Sequence, residues 1–239
     1  MSSKPPNLRR EADLFGAGSV ALLAGADEVG RGALSGPVTA GVVALDSIAR
    51  RPPRGLRDSK LLAPAAREAL VPRIRSWANG CAVGHASAAE IDEMGILGAL
   101  RLAGERAIAQ LPVTPNLVLL DGNYDWLTRP AAAASSPLLA PIERIVLQVK
   151  ADLLCASSSA ASVIAKVERD AIMREMAERY PGYGWEANKG YATPEHLAAI
   201  AALGPSEEHR RSWRLPGSEA MQLTLEQSDE VFAALASRP

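Results

Sequence analysis

The chain has 239 residues, 48% hydrophobic and 22% charged, enough for one large domain or a domain with an appendage, and only 4% aromatic, so its core must rest on Ala, Val, Leu and Ile. Its 26 basic and 27 acidic residues leave a net charge of -1, which argues against a globally basic nucleic-acid binder but not against a local binding face. Cys81 and Cys155 cannot build a disulfide framework and no Cys/His spacing suits zinc, so a reducing cytoplasm is the expected compartment.

Residues 1–13 are polar and proline-bearing, and are expected to be loose. An uncharged run over 14–26 follows Arg9 and Arg10 and ends in Ala24-Gly25-Ala26, which outlines a signal peptide. Glu11 and Asp13 spoil that leader and Gly16 and Gly18 weaken the run, so a buried strand is the better reading. Stretches 20–26 and 37–45 read as two strands joined through Gly30-Arg31-Gly32 and Gly36-Pro37. A proline-bearing loop at 50–57 precedes a helix over 64–79, opened by Pro64 and stopped by Gly80. A short strand at 81–86 leads to the capping box Ser87-Ala88-Ala89-Glu90, which opens a short helix, and to a clear helix over 96–111.

Residues 116–121 read as a buried strand ending on Asp121, 124–141 as a long loop, and 144–149 as a strand with Asp152 just past its end. A long helix follows over 156–180, then loop signals at Pro181, Gly182 and Gly184. A last helix starts at Thr193-Pro194 and stops at Gly204-Pro205. Strands alternating with helices after an opening strand pair predict an α/β domain with a mixed sheet over residues 14–215. Residues 216–239 form an appendage. No other apolar run approaches the roughly 18 residues of a membrane helix, so no membrane contact is expected. A monomer is the expected state, although no feature of the sequence fixes it.

The chemistry lies in where the acids fall. Asp27 and Glu28 follow one apolar strand, Asp121 ends a second and Asp152 follows a third. Strand ends are where α/β sheets gather functional groups. Four converging carboxylates repel one another unless cations hold them, and oxygen-only ligands select hard ions such as Mg²⁺ or Mn²⁺. Each acid taken alone is a turn residue or helix cap more often than a ligand.

Six ordered blocks go further. Ala26-Asp27-Glu28-Val29-Gly30-Arg31-Gly32 with Gly36-Pro37, then Asp58-Ser59-Lys60 and Leu120-Asp121-Gly122-Asn123, resemble ribonuclease HII. So do Ala160-Ala161-Ser162-Val163-Ile164-Ala165-Lys166-Val167, Lys189-Gly190-Tyr191, and Gly204-Pro205-Ser206 with His209-Arg210-Arg211-Ser212-Trp213. The resemblance runs from about residue 22 to 214. It implies a ribonuclease H-like fold with a helical C-terminal region, and cleavage of RNA–DNA hybrids and of single ribonucleotides embedded in duplex DNA.

The resemblance further implies Asp27, Glu28, Asp121 and Asp152 as the catalytic, metal-holding acids, with two divalent cations and 3′-hydroxyl and 5′-phosphate products. Two ions about 3.5–4 Å apart can activate water on one side of a phosphate and stabilise the departing oxygen on the other. Asp27 is taken as the carboxylate bridging both. Neighbours on a regular strand point to opposite faces, so Asp27 and Glu28 can share a site only if the strand ends there.

On the substrate side, Gly30 and Gly32 admit close backbone approach to a sugar and Arg31 can reach a phosphate or brace the turn. Tyr191 offers a phenol for the 2′-hydroxyl, which separates RNA from DNA. Lys60, Lys166 and Lys189 are candidate phosphate contacts. His196 and His209 are not read as ligands. His209, beside Arg210 and Arg211, has a structural or DNA-backbone role, and His85 has none assigned. Three departures from the family pattern stand out: Ala151 where glycine is usual, the serines Ser157-Ser158-Ser159 in place of apolar residues, and a long 124–141 segment.

The rivals are another nuclease of this fold, such as a junction resolvase or a type 1 ribonuclease H, and a hybrid-binding homologue without turnover. The first has no use for Gly30-Arg31-Gly32 and Tyr191, the second none for four mutually repelling acids. In the tail, Gln222-Leu223-Thr224-Leu225 resembles the core of peptides that dock into sliding clamps, but Glu226 stands where a Phe is usual. Leu223 and Leu225 anchoring the tail, or starting a helix towards Val231 and Leu235, is the plainer reading.

Overall fold

The computed structural model describes residues 4–18, 20–128 and 136–216. Its five strands are β1 (Leu23–Val29), β2 (Val38–Leu45), β3 (Gly80–Ala86), β4 (Leu117–Asp121) and β5 (Arg144–Gln148). They form one sheet in the order β3-β2-β1-β4-β5. The β1–β2 and β2–β3 pairs are antiparallel, and β1–β4 and β4–β5 are parallel. This is the mixed sheet that an opening strand pair followed by helical crossovers demands.

The helices are α1 (Arg9–Gly16), α2 (Pro64–Trp77), α3 (Ala88–Ile108), α4 (Ala151–Leu154), α5 (Ala156–Arg179), α6 (Trp185–Asn188) and α7 (Pro194–Leu203). On one face of the sheet, α3 buries Leu100, Ala103 and Ala107 against Ala24, Ala26, Val38 and Val42. On the other, α2 and α5 set Leu70, Ile74, Ala160 and Ile164 against Val43 and Leu45. The helices α6 and α7 pack on the far half of α5 through Met173, Met176, Trp185 and Ile200, which makes the helical C-terminal region. Among the described residues, no helix is long and apolar enough to cross a membrane.

The first two turns of α5 are Ala156-Ser157-Ser158-Ser159-Ala160-Ala161-Ser162, every residue buried. Small side chains on the helix meet glycines on the sheet. A Cβ on Gly25 would overlap Ser157, and one on Gly41 would overlap the Ala161 carbonyl oxygen. The serines therefore serve close approach, and the Ser157 and Ser158 hydroxyls find partners within it. Ser157 donates from both N and Oγ to Glu11 Oε1, at 2.9 and 2.8 Å, and Ser158 Oγ donates to the Leu119 carbonyl at 3.5 Å.

Glu11 corrects the expectation of a loose 1–13 segment. From Arg9 the chain is helical, Glu11 and Leu14 are buried, and Asn7 exchanges backbone hydrogen bonds with Leu154 and Ala156. The reason is a long-range cap: Cys155 offers α5 no side-chain acceptor, and Glu11 accepts from its first turn instead. Burial raises the Glu11 pKa, opposed by its bonds to Ser157.

Other differences are local. β1 runs to Val29 rather than residue 26, so Asp27 and Glu28 lie on the strand, and Asp152 lies in the first turn of α4. The short helix opened by the capping box and the longer helix after it are two segments of α3, as expected, divided at Gly95, whose φ of 75° breaks the regular backbone. Ala151 keeps an ordinary backbone, because the left-handed residue is Lys150 (φ 61°), so alanine there is harmless. Trp126 and Leu127, in the stretch expected as loop, are buried beside α3.

Gly41→Ala is expected to destabilise the protein by about 2–3 kcal/mol through overpacking. Calorimetry should then show a melting temperature lowered by roughly 5–10 °C. Gly16→Ala, with open space around it, should leave the melting temperature unchanged.

Candidate active site

The β1 ladder with β4 stops at Ala26↔Leu120, whereas that with β2 continues to Val29↔Thr39. Beyond Ala26, β1 has lost its neighbour on the β4 side, and the last residue of β4, Asp121, lies beside the gap. Asp27 is buried there at 4% exposure, accepts from the Glu28 N–H at 2.8 Å and is hydrogen-bonded by the Ser162 side chain. Ser162 Oγ in turn bonds Ser59 Oγ at 2.8 Å. Asp121 Oδ1 accepts from the Ala151 N–H at 2.6 Å, and buried Asp152 pairs with Lys60 Nζ at 3.2 Å.

Burial and the charges of Glu28, Asp121 and Asp152 push the Asp27 pKa up to about 8, against the pull of Ser162. Burial also raises Glu28, opposed by Arg31 at 3.6 Å and reinforced by Asp121. Asp121 is raised by burial and by Asp152. Burial works against the Lys60 ammonium, but Asp58, Asp152 and Asp27 outweigh it and raise its pKa. The four sequence-identified acids thus feel one another's charge, including Glu28, although its strand neighbour Asp27 turns towards α5.

Among the described residues, no three His, Cys, Asp or Glu side chains stand ready-grouped around a single ion position. The donor set nevertheless fits a hard divalent cation. It is all oxygen, and a carboxyl pushed up to about pKa 8 by burial and by neighbouring carboxylates is one that positive charge would relieve. Lys60 already supplies one such charge.

Directly after Glu28 the chain makes the Gly30-Arg31-Gly32 turn, fixed from behind by two arginines that are 0% exposed. Arg210 donates to the Gly30 and Arg31 carbonyls at 2.6 and 2.9 Å. Arg169 donates to Pro37, Ser35 and Lys189 carbonyls at 2.9, 3.2 and 2.9 Å. Burial, then Arg169, lowers the Arg210 pKa to about 9. Gly30 has φ 83° and no room for a Cβ beside Arg169, so the protein itself requires glycine there. Gly32 is exposed, and a methyl group in place of its hydrogen would meet nothing within 4 Å, so no contact inside the protein demands glycine at that position.

The Tyr191 hydroxyl accepts from the Gly30 N–H at 3.2 Å, and its ring lies 5.5 Å from the Arg169 guanidinium carbon. Gly30 and Tyr191, 161 positions apart, therefore form one surface. The lysines divide. Lys60 joins the acids, Lys166 is tied to Asp170 at 2.6 Å, and Lys189 bonds the Glu186 carbonyl. His209 and Arg210 are fully buried, which makes their contacts internal to the protein; His85 bonds Thr39 Oγ1 at 2.8 Å.

Sequence reasoning missed Ser162 and Arg169 as functional neighbours. Ser162 lies inside one of the six ordered blocks and was recoverable as the polar residue between the apolar Ala160-Ala161 and Val163-Ile164-Ala165. Arg169 carried no signal, since an arginine is normally read as surface.

A buried acid whose folded pKa lies above its unfolded value binds its proton more tightly when folded, so stability falls as pH rises from about 4 through about 8. Asp27→Asn removes that loss. In chelator its melting temperature should exceed that of the wild type by several degrees at pH 8, with the gap closing towards pH 4, as followed by circular dichroism.

The family described as ribonuclease HII matches residues 24–215. A ribonuclease HII from Streptomyces avermitilis is 44% identical over 213 residues, covering 89% of this chain and 85% of that one. One from Thermus thermophilus is 46% identical over 192 residues, covering 80% and 85%. Among solved structures, the PCNA:RNase HII complex from Archaeoglobus fulgidus matches with a TM-score of 0.63 and 28% identity, over 82% of this chain and 97% of that one. The acids, the glycine turn and Tyr191 all lie within the matched span, and the chain belongs to the ribonuclease HII family, a ribonuclease H that hydrolyses phosphodiester bonds.

Proposed function

We propose that the protein cuts the RNA strand of RNA–DNA hybrids, and duplex DNA on the 5′ side of a single embedded ribonucleotide, leaving 3′-hydroxyl and 5′-phosphate ends. The observation that carries this reading is the Gly30–Tyr191 hydrogen bond, which sets a phenol and exposed Gly32 next to the acid cluster. A catalyst indifferent to the sugar needs no such surface.

In this reading Asp27, Glu28, Asp121 and Asp152 hold two divalent cations, Mg²⁺ or Mn²⁺, which when bound supply an activated water and charge for the departing 3′-oxygen. The chain's own part is positioning. Arg210 holds the turn's carbonyls inward, Arg169 holds the flanking Ser35, Pro37 and Lys189 carbonyls, and the turn's exposed edge is left to the ribose. Tyr191 presents its hydroxyl where a 2′-hydroxyl can both donate and accept. Lys60 offers a cation to the phosphate beside Asp152, with Arg31, Lys166 and Lys189 farther out along the backbone path. The protein works as a monomer.

A duplex with one embedded ribonucleotide, incubated with and without Mg²⁺ or Mn²⁺, tests this directly. Metal-dependent cleavage 5′ of the ribonucleotide is expected. Asp27→Asn should keep duplex binding yet lose well over 90% of turnover, more than about 1.4 kcal/mol in the barrier. Cleavage of a four-way junction alone, or binding without cleavage, would refute the reading.

Tyr191→Phe removes one hydroxyl, so cleavage should fall much further at a single ribonucleotide than in a continuous hybrid, where other 2′-hydroxyls are available. Equal losses would make Tyr191 a general packing residue.

Clamp tethering is the proposed partner contact. The Archaeoglobus fulgidus relative was solved with PCNA, and Gln222-Leu223-Thr224-Leu225, outside the described residues, resembles the core of peptides that dock into bacterial sliding clamps. Lacking the usual Phe costs about 1.5–3 kcal/mol of burial, so binding should be weaker than micromolar. A peptide of residues 217–239 titrated against a sliding clamp decides between this contact and a tail anchored by Leu223 and Leu225: a signal that Gln222→Ala abolishes supports the contact, and no binding at about 100 μM ends it.

A further inference from the structure

Behind Tyr191 lies a buried polar cluster for which the proposed mechanism has no use. His196 and His209 are both 0% exposed, with Nε2 atoms 3.2 Å apart. The rings of Tyr183 and Trp185 enclose them, with Tyr183–His209 centroids 4.8 Å apart and Trp185–His209 centroids 5.3 Å apart. Their hydrogen bonds leave one assignment of protons. The Trp185 indole can only donate, and it donates to His196 Nε2 at 3.0 Å. His196 Nε2 is therefore unprotonated, and its hydrogen sits on Nδ1, which donates to the Tyr191 carbonyl at 2.9 Å.

At the other end, the Ser206 N–H donates to His209 Nδ1 at 3.0 Å, with Ser206 Oγ at 2.9 Å. The His209 hydrogen must then be on Nε2, where it points at the His196 Nε2 lone pair and shares it with the Trp185 N–H. Two obligate donors, in different parts of the chain, thus impose the same direction. Burial lowers the pKa of both rings, His209 to about 4, in keeping with two neutral imidazoles.

We propose that His196 and His209 are positioning residues for ribonucleotide reading: a neutral donor chain running Ser206–His209–His196–Tyr191 that fixes the Tyr191 backbone under its hydroxyl. The Tyr191 carbonyl is then held by His196 Nδ1 and by the Thr193 N–H at 2.8 Å, while its hydroxyl is held by Gly30. Thr193 Oγ1 accepts from the His196 N–H, so the start of α7 and the reading tyrosine move as one piece. This role rests on the reading of Tyr191 given above.

The tautomers are measured on the full chain by long-range ¹H–¹⁵N NMR at pH 7, where three histidines give three imidazoles. His196 should carry its proton on Nδ1 and His209 on Nε2. The opposite tautomer, or a doubly protonated ring, at either residue overturns the proposal without need of a variant.

Function is read by two substitutions that divide the ring. His196→Gln keeps an acceptor for Trp185 and His209 but no donor to Tyr191. His196→Asn keeps the donor and loses the acceptor, which strands two buried N–H groups and should lower the melting temperature more. The ratio of single-ribonucleotide to hybrid cleavage should fall about tenfold in His196→Gln and stay within about twofold in His196→Asn, although the latter is less stable. In a Tyr191→Phe background His196→Gln should change the ratio no further. A ratio that follows melting temperature, or one unchanged in His196→Gln, leaves the histidines merely structural. Wild-type protein that fails to cut at the single ribonucleotide would instead defeat the proposed function itself, and this role with it.

Discussion

The helix α5 lies on β1 and β2 at a distance only glycine and small side chains permit, and the site is laid out along that contact. Gly25 and Gly41 on the sheet face Ser157 and Ala161 on the helix with no space for a Cβ. Because the helix is that close, Ser162 reaches Asp27 inside the strand. Seven residues, or about 10 Å, further along the same helical face, Arg169 reaches the carbonyls around the glycine turn. Four residues beyond that, Met173 packs under Gly36 and Gly190. One helix face thus spaces the acids, the turn and the Tyr191 segment. A bulkier α5 would move all three.

Charge is arranged against ordinary burial preferences at both ends of this layout. At one end burial, reinforced by the neighbouring carboxylates, pushes the Asp27 pKa up to about 8. At the other, Arg169 and Arg210 are sealed beneath the turn with carbonyl oxygens rather than a facing carboxylate as their main partners. Such groups contribute little net stability, since desolvation offsets most of the attraction. They do hold a loop rigid, with its carbonyls drawn inward and a positive field below its outer edge. That is the environment a sugar-phosphate backbone would meet, adjacent to acids suited to cations.

The buried histidines extend the same logic to neutral groups. Fully satisfied polar networks specify a single arrangement where apolar packing would tolerate several. Here the specified element is the turn from Lys189 to Thr193, whose residue Lys189 adopts φ 53°, a conformation that non-glycine side chains rarely take without support. Arg169 at the Lys189 carbonyl and His196 at the Tyr191 carbonyl supply that support from two sides.

Much of this was legible in the chain itself. Alternating apolar runs and capping signals located the strands and the long helices, because each depends on neighbours a few residues away. The four acids stood out because each closes or follows an apolar strand. By contrast α1 looked loose, since Glu11 reads as solvated until the first turn of α5 supplies its partner 146 positions away. The serines of α5 looked like a departure from an apolar helix, since what they face is a glycine on another element.

Sequence alone singled out the four candidate acids and the glycine turn, because apolar runs that give way to acids or glycines are local features written in local pattern. Only the tertiary structure decided how they meet. The early end of the β1–β4 ladder opens a gap that Asp27, Asp121 and Asp152 border, and no periodicity encodes where a ladder stops. Likewise Gly30 and Tyr191 become one surface, and Arg169, Arg210, His196 and His209 become interior, only when distant segments pack together. A buried cation or imidazole is defined by the groups around it, and those come from elsewhere in the chain.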